Sequence, residues 1–168
     1  MTTLNALLLV ANDAEAVERL ESQFATAGLA EVIAAAAECD VVLTIATLDP
    51  VKHAEKTYAR NAIIHSLRAD SVPLVDRLLS AVGAQKLRPT LAKSPVGRLI
   101  NSLSATDPSR TFARAYSRKP AKTAGHFDLV IASDTAAIRT AWLLNRRHRA
   151  TAAFFGEAAA IVTLRESN

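Results

Sequence analysis

A chain of 168 residues, half of them hydrophobic and only 5% aromatic, is long enough for one domain with a substantial core. Its formal charge of +4 is uneven: residues 86–122 carry nine Lys/Arg against the single acid Asp107, a net +8 that leaves −4 elsewhere. The one cysteine, Cys39, excludes an internal disulfide and a cysteine-rich zinc site.

No apolar run reaches the roughly 20 residues of a transmembrane helix. The start, Met1-Thr-Thr-Leu-Asn5, lacks the charged opening of a signal peptide. These features together point to the cytoplasm. A basic block suggests an anionic partner (phosphate, acidic lipid or nucleic acid) or else a solvated surface segment.

Taken in order, residues 4–11 form a nearly continuous apolar run, the pattern of a parallel strand buried on both faces. Asn12 or Asp13 supplies an N-cap for a helix whose stripe is Val17, Leu20, Phe24 and Ala27, with Gly28 at its end. Residues 31–37 predict an alanine-weakened strand centred on Val32 and Ile33, and residues 40–47 a firmer one. The first 47 residues therefore read β, α, β, β.

Asp49-Pro50 opens a predicted helix that runs to about Leu67 with Ala54, Tyr58, Ala62 and His65 on one face. Further helices are predicted from Ser71 to Gly83, over residues 96–103, and from Pro108 with Phe112, Ala113 and Tyr116 on its apolar side. Residues 127–132 return to strand. Ser133, Asp134 and Thr135 offer caps to a helix carrying Ile138, Ala141, Trp142 and Asn145, with a basic tip at Arg146 and Arg147. Residues 149–155 predict a last firm strand and residues 159–164 one more.

Strands separated by helices predict a single three-layer, Rossmann-like α/β domain over residues 1–168. Its sheet is mostly parallel, and a helical, basic insertion spans about residues 50–125. Ligands of such sheets bind at the carboxyl ends of the strands, near the switch point. That rule selects Asn12, Asp13, Thr47, Ser133, Asp134, Thr135, Gly156 and Glu157; the Asn12–Asp13 pair and the 133–135 run also have a plain reading as helix caps, and Glu157 as a loop acid.

The first βα turn, Ala11-Asn12-Asp13-Ala14, has no glycine, so neither a dinucleotide fingerprint nor a phosphate loop is present. His53, His65, His126 and His148 are not spaced as metal ligands. No Gly-x-Ser-x-Gly elbow supports a serine hydrolase. No cofactor and no metal are expected, and no catalytic residue is assigned.

Three segments resemble the N-terminal domain of the retaining GT-B glycosyltransferases of family 4. They are the acid- and arginine-rich helix opening at Asp13, the run Phe127-Asp-Leu-Val-Ile-Ala-Ser-Asp-Thr135 with its Arg-tipped helix, and Thr151-Ala-Ala-Phe-Phe-Gly-Glu157. The resemblance implies an acceptor-binding half-enzyme, with Asn12, Asp13, Ser133, Asp134 and Glu157 lining the cleft. It implies as partner a C-terminal donor domain that binds the nucleotide-sugar and is absent from this chain.

Ser133 and Gly156 stand where several family members carry histidines, and Asn12 and Asp13 where many carry glycines. Members that act on lipid-linked acceptors approach the membrane through basic helices. The same role here would fall to Arg98, Arg110, Arg114, Arg118 and Lys119, at roughly 1 kcal/mol per cation near an acidic surface.

The alternative is a non-catalytic Rossmann-like module for an anionic partner, acidic lipid or nucleic acid. The latter is disfavoured by the scarcity of aromatics interleaved with the basic block. A receiver-like signalling module is a further alternative, but it lacks an aspartate at the end of the 40–47 strand, where Thr47 stands.

Overall fold

The computed structural model describes residues 3–11, 13–67, 107–118 and 125–167. Asn12, Arg98, Lys119 and the helices predicted over residues 71–83 and 96–103 lie outside the described residues.

Five strands form one sheet: β1 (Thr3–Val10), β2 (Asp40–Thr47), β3 (Ala62–Ser66), β4 (Phe127–Ala132) and β5 (Ala150–Phe155). Their order is β3-β2-β1-β4-β5, and every pairing is parallel. The chain winds outward from β1 in one direction through β2 and β3, then restarts on the other side at β4. The switch point is therefore the β1–β4 boundary.

The predicted α/β class and parallel sheet are what the chain adopts, with helices on both faces. α1 (Ala14–Gln23), α2 (Leu29–Ala37) and α6 (Glu157–Ser167) contribute to one face. There Ala6, Leu8 and Val10 pack with Leu20, Ile33, Tyr58 and Ile161. α4 (Pro108–Ser117) and α5 (Ile138–Arg146) cover the other, where Leu7, Leu9 and Val130 pack with Phe112, Tyr116, Ala141 and Leu144. Because β1 is buried on both sides, each of its leucines from Leu7 to Leu9 is fully buried, and each contributes roughly 2 kcal/mol.

Three predicted elements differ. Residues 31–37 are not a strand but most of α2, whose buried Leu29, Ala30, Ile33 and Ala36 follow helical spacing. Alanine-rich sequence favours helix over strand, and this outweighs the Val32–Ile33 pair. The single helix predicted from Pro50 to Leu67 breaks into α3 (Pro50–Ala54), a 3-10 turn (Thr57–Ala59) and edge strand β3. Asn61 makes the break by taking a left-handed φ of 58°, which asparagine tolerates. Part of the span predicted as a helical insertion therefore belongs to the sheet.

Residues 159–164 lie inside α6, not in a strand. Trp142, read as part of the packed stripe of its helix, is 53% exposed. The packed side of α5 is Thr140, Ala141 and Leu144.

Candidate functional site

The register brings all the strand ends to one edge. Val10 pairs with Thr47, Thr47 with Ser66, Leu9 with Ala132, and Ala132 with Phe155. Asp13, Ser133, Asp134 and Glu157 all follow directly on these ends. The backbone is stitched together there as well: Ser133 N–H donates to the Leu9 carbonyl at 3.0 Å, and Gly156 N–H to the Ala132 carbonyl at 3.0 Å.

Asp13 caps α1, its Oδ1 accepting from Glu15 N–H at 3.0 Å. Asp134 ties the two halves of the sheet together at the switch point. Oδ2 accepts from Ala11 N–H at 2.7 Å, and Oδ1 accepts from Ala137 N–H at 2.8 Å, ahead of α5. Burial pushes its carboxyl above the ordinary value, opposed by the bonds from Ala11 and Ala137. Both oxygens thus serve the fold, but the predicted side-chain cap is not made: the N-cap of α5 is Ala137, with no side-chain cap bond, and Asp134 instead holds the Ala137 N–H across the turn.

Ser133 is fully buried and Glu157 is 2% exposed. Arg19 of α1 joins them. Its Nη2 donates to the Ser133 carbonyl at 2.5 Å, lies 3.5 Å from Ser133 Oγ and is 3.7 Å from Glu157 Oε2. Glu157 Oε1 is buried with no hydrogen-bond partner among the described residues. Gly156, at φ +83°, makes the turn that sets Glu157 at the head of α6; only glycine takes that conformation without strain.

A second buried polar group lies on the same face. His53 of α3 and Tyr58 are both fully buried, and the His53 Nδ1 and Tyr58 hydroxyl are hydrogen-bonded. Desolvation lowers the His53 pKa and leaves the ring neutral more readily. Desolvation, reinforced by the charges of Glu21 and Glu157, raises the Tyr58 pKa, so the phenol keeps its proton. His53 Nε2 and Glu21 Oε2 are buried without partners among the described residues, while Glu21 Oε1 accepts from Thr57 N–H at 3.3 Å.

Nothing local in the sequence marks Arg19, His53 or Tyr58 as belonging to this edge. The one clue to Arg19 is that it is the sole base among Glu15, Glu18 and Glu21, adjoining the buried Leu20.

Of the predicted basic residues, Arg110, Arg114 and Arg118 fall on α4 and its C-cap, at four-residue spacing, with Phe112, Ala115 and Tyr116 on the packed side. They lie on the opposite face of the sheet from Arg19 and Glu157.

Among the described residues no three His, Cys, Asp or Glu side chains come together as metal ligands, and no helix is long and apolar enough to cross a membrane. No protein-family model, characterised protein or solved structure matches this chain, so the site stands on its own geometry.

Proposed function

We propose that this domain is the acceptor-binding half of a sugar transferase that works with a second, nucleotide-sugar-binding domain. The supporting observation is how the N–H donors near the first βα turn are used. A nucleotide diphosphate held at that turn needs free N–H groups and close backbone approach. Here Asp134 occupies Ala11 N–H and Asp13 occupies Glu15 N–H. Two carboxylates stand where the phosphates would lie. On this reading the donor nucleotide belongs to another domain, and the carboxyl edge around Ser133 and Glu157 serves a hydroxyl-bearing acceptor.

The test is amide chemical-shift mapping with free saccharides and with nucleoside diphosphates at millimolar concentration. Saccharides are expected to move the resonances of residues 133–135 and 156–158, while UDP and GDP leave residues 11–15 unmoved. Nucleotide shifts in the first turn, or saccharides that bind nowhere, would overturn the reading.

A second reading is favoured by the outer side of α4 and α5. Arg114 and Arg118 of the first, and Arg139, Arg146 and Arg147 of the second, are exposed, and α4 and α5 share one core cluster. This reading has the face rest on an anionic partner, an acidic membrane surface before nucleic acid. Co-sedimentation with anionic vesicles at low salt, lost at high salt, is its expected behaviour. A gel shift with RNA or DNA and no sedimentation would reverse that order.

A further inference from the structure

Arg19 and Glu157 are both under-satisfied, in complementary ways. Every polar contact of Arg19 among the described residues runs through Nη2. Nε and Nη1 have no protein partner there, and the side chain is 42% exposed. Beneath it Glu157 is 2% exposed, with Oε1 unpartnered and Oε2 met only by the ion pair at 3.7 Å. A buried carboxylate is compensated by an ion pair only when hydrogen bonds satisfy its remaining lone pairs, and an orphaned buried acceptor costs about 1–3 kcal/mol. A guanidinium with two nitrogens unused therefore covers an acid with a bare oxygen, and the Ser133 hydroxyl lies 3.5 Å from Nη2.

We propose that Arg19 and Glu157 form a binding site for a small ligand that carries an anion next to a hydroxyl: a polyol phosphate or a hydroxy acid. The anion takes the end of the guanidinium in a two-pronged bond from Nη1 and from the Nη2 hydrogen not given to the Ser133 carbonyl. Turning toward it, Arg19 loosens its hold on Glu157, and Oε1 accepts the ligand hydroxyl in exchange.

Selectivity follows from the pair. A bare anion draws Arg19 away and leaves Glu157 uncompensated, while a neutral polyol leaves the fork of Arg19 empty. Only a ligand with both groups satisfies both side chains. The site rests on the reading of this edge as an acceptor crevice and narrows the acceptor to anionic polyols.

Calorimetry with glycerol 3-phosphate, glycerate, inorganic phosphate and glycerol tests it, alongside the ¹⁵Nε resonance of Arg19. The two hydroxy-anions are expected to bind about tenfold more tightly than phosphate or glycerol, as one good charge-assisted bond gives, and to shift the Arg19 Nε signal. Arg19→Lys keeps the charge but loses the fork, and is expected to weaken them by about tenfold; Glu157→Gln is expected to erase their advantage over phosphate.

Phosphate binding as tightly as glycerol 3-phosphate, or an Arg19→Lys variant of unchanged affinity, would overturn the proposal. Because Arg19 is at the surface, that variant remains informative if Glu157→Gln fails to fold. Neutral saccharides binding at residues 133–135 with no response to hydroxy-anions would remove this inference alone. Hydroxy-anions bound at Arg19 with no saccharide bound anywhere would remove the sugar-transfer reading and keep the site.

Discussion

Asp134 and Glu157 occupy equivalent places. Each lies two residues beyond its strand, and the last residues of those strands, Ala132 and Phe155, are register partners. Each is almost wholly buried. Yet both Asp134 oxygens take backbone N–H groups, whereas Glu157 has one bare oxygen and one loose ion pair. The difference comes from the sheet. β4 is interior and has the first βα turn of β1 beside it, with Ala11 N–H within reach. β5 has the end of β4 beside it, but there the Ser133 N–H is already given to the Leu9 carbonyl. A buried acid next to a free backbone donor is captured by it. Glu157, with no such donor beside it among the described residues, is left to the Arg19 side chain.

The widest separation between the two is expected on deletion. Asp134→Ala strips the partner from the Ala11 N–H, while the Ala137 N–H keeps the backbone carbonyl of residue 134, and at about 1–3 kcal/mol for an abandoned donor the loss is about 2 kcal/mol in urea unfolding. Glu157→Gln removes a charge that the fold compensates poorly, and stability is expected to stay within about 1 kcal/mol of the parent. Equal costs for the two would erase the distinction.

Acid titration sharpens the same contrast. Asp134 keeps its proton longer in the folded chain than in the unfolded one. Folding therefore takes up a proton between the ordinary value of 3.8 and the raised one. The contribution of this group is full below 3.8 and is lost as pH rises through the folded value. Asp134→Asn should abolish that slope in thermal unfolding; a parent protein that gained stability relative to the variant over the same rise would contradict the assignment.

The His53–Tyr58 pair extends the comparison to the neighbouring polar group. Tyr58→Phe leaves the buried His53 Nδ1 without its hydroxyl, at an expected loss of about 1–2 kcal/mol. His53 titrates with the opposite sense to Asp134. Its folded pKa is lowered from 6.5, so its contribution is complete above 6.5 and is lost as pH falls through the folded value. His53→Gln should remove that dependence, and its persistence in the variant would place the titration on another group.

The parts of the fold that the sequence discloses are those whose local pattern agrees with their tertiary setting. β1 and β4 are continuous apolar runs because both of their faces are buried, and Asp13 announces a helix start by chemistry confined to two residues. α2 and β3 were obscured because short segments carry mixed signals: Val32 and Ile33 are β-branched within an alanine helix, and Tyr58, Ala62 and His65 fall at helical spacing by coincidence across a 3-10 turn and a strand. The site was half visible. Strand-end logic finds Ser133, Asp134 and Glu157, but Arg19 meets Ser133 across 114 positions of sequence, and no local pattern carries such a contact.

The smallest effect is expected at Trp142, and it turns on the same question of satisfied against exposed groups. Spacing alone puts Trp142 on the packed side of α5, but the helix turns Thr140, Ala141 and Leu144 inward and leaves the indole 53% exposed. Among the described residues its one ring contact is the Arg146 guanidinium, 5.1 Å from the ring centroid, an arrangement worth about 0.5–1 kcal/mol at an exposed site. Trp142→Ala should therefore cost no more than about 1 kcal/mol, far below the several kcal/mol of a buried aromatic truncation. If the α4–α5 face carries an anionic partner, the same substitution should weaken vesicle binding while leaving the unfolding midpoint almost unmoved. A large stability loss would contradict the exposed placement of the indole, and with it the reading of this face as open to a partner.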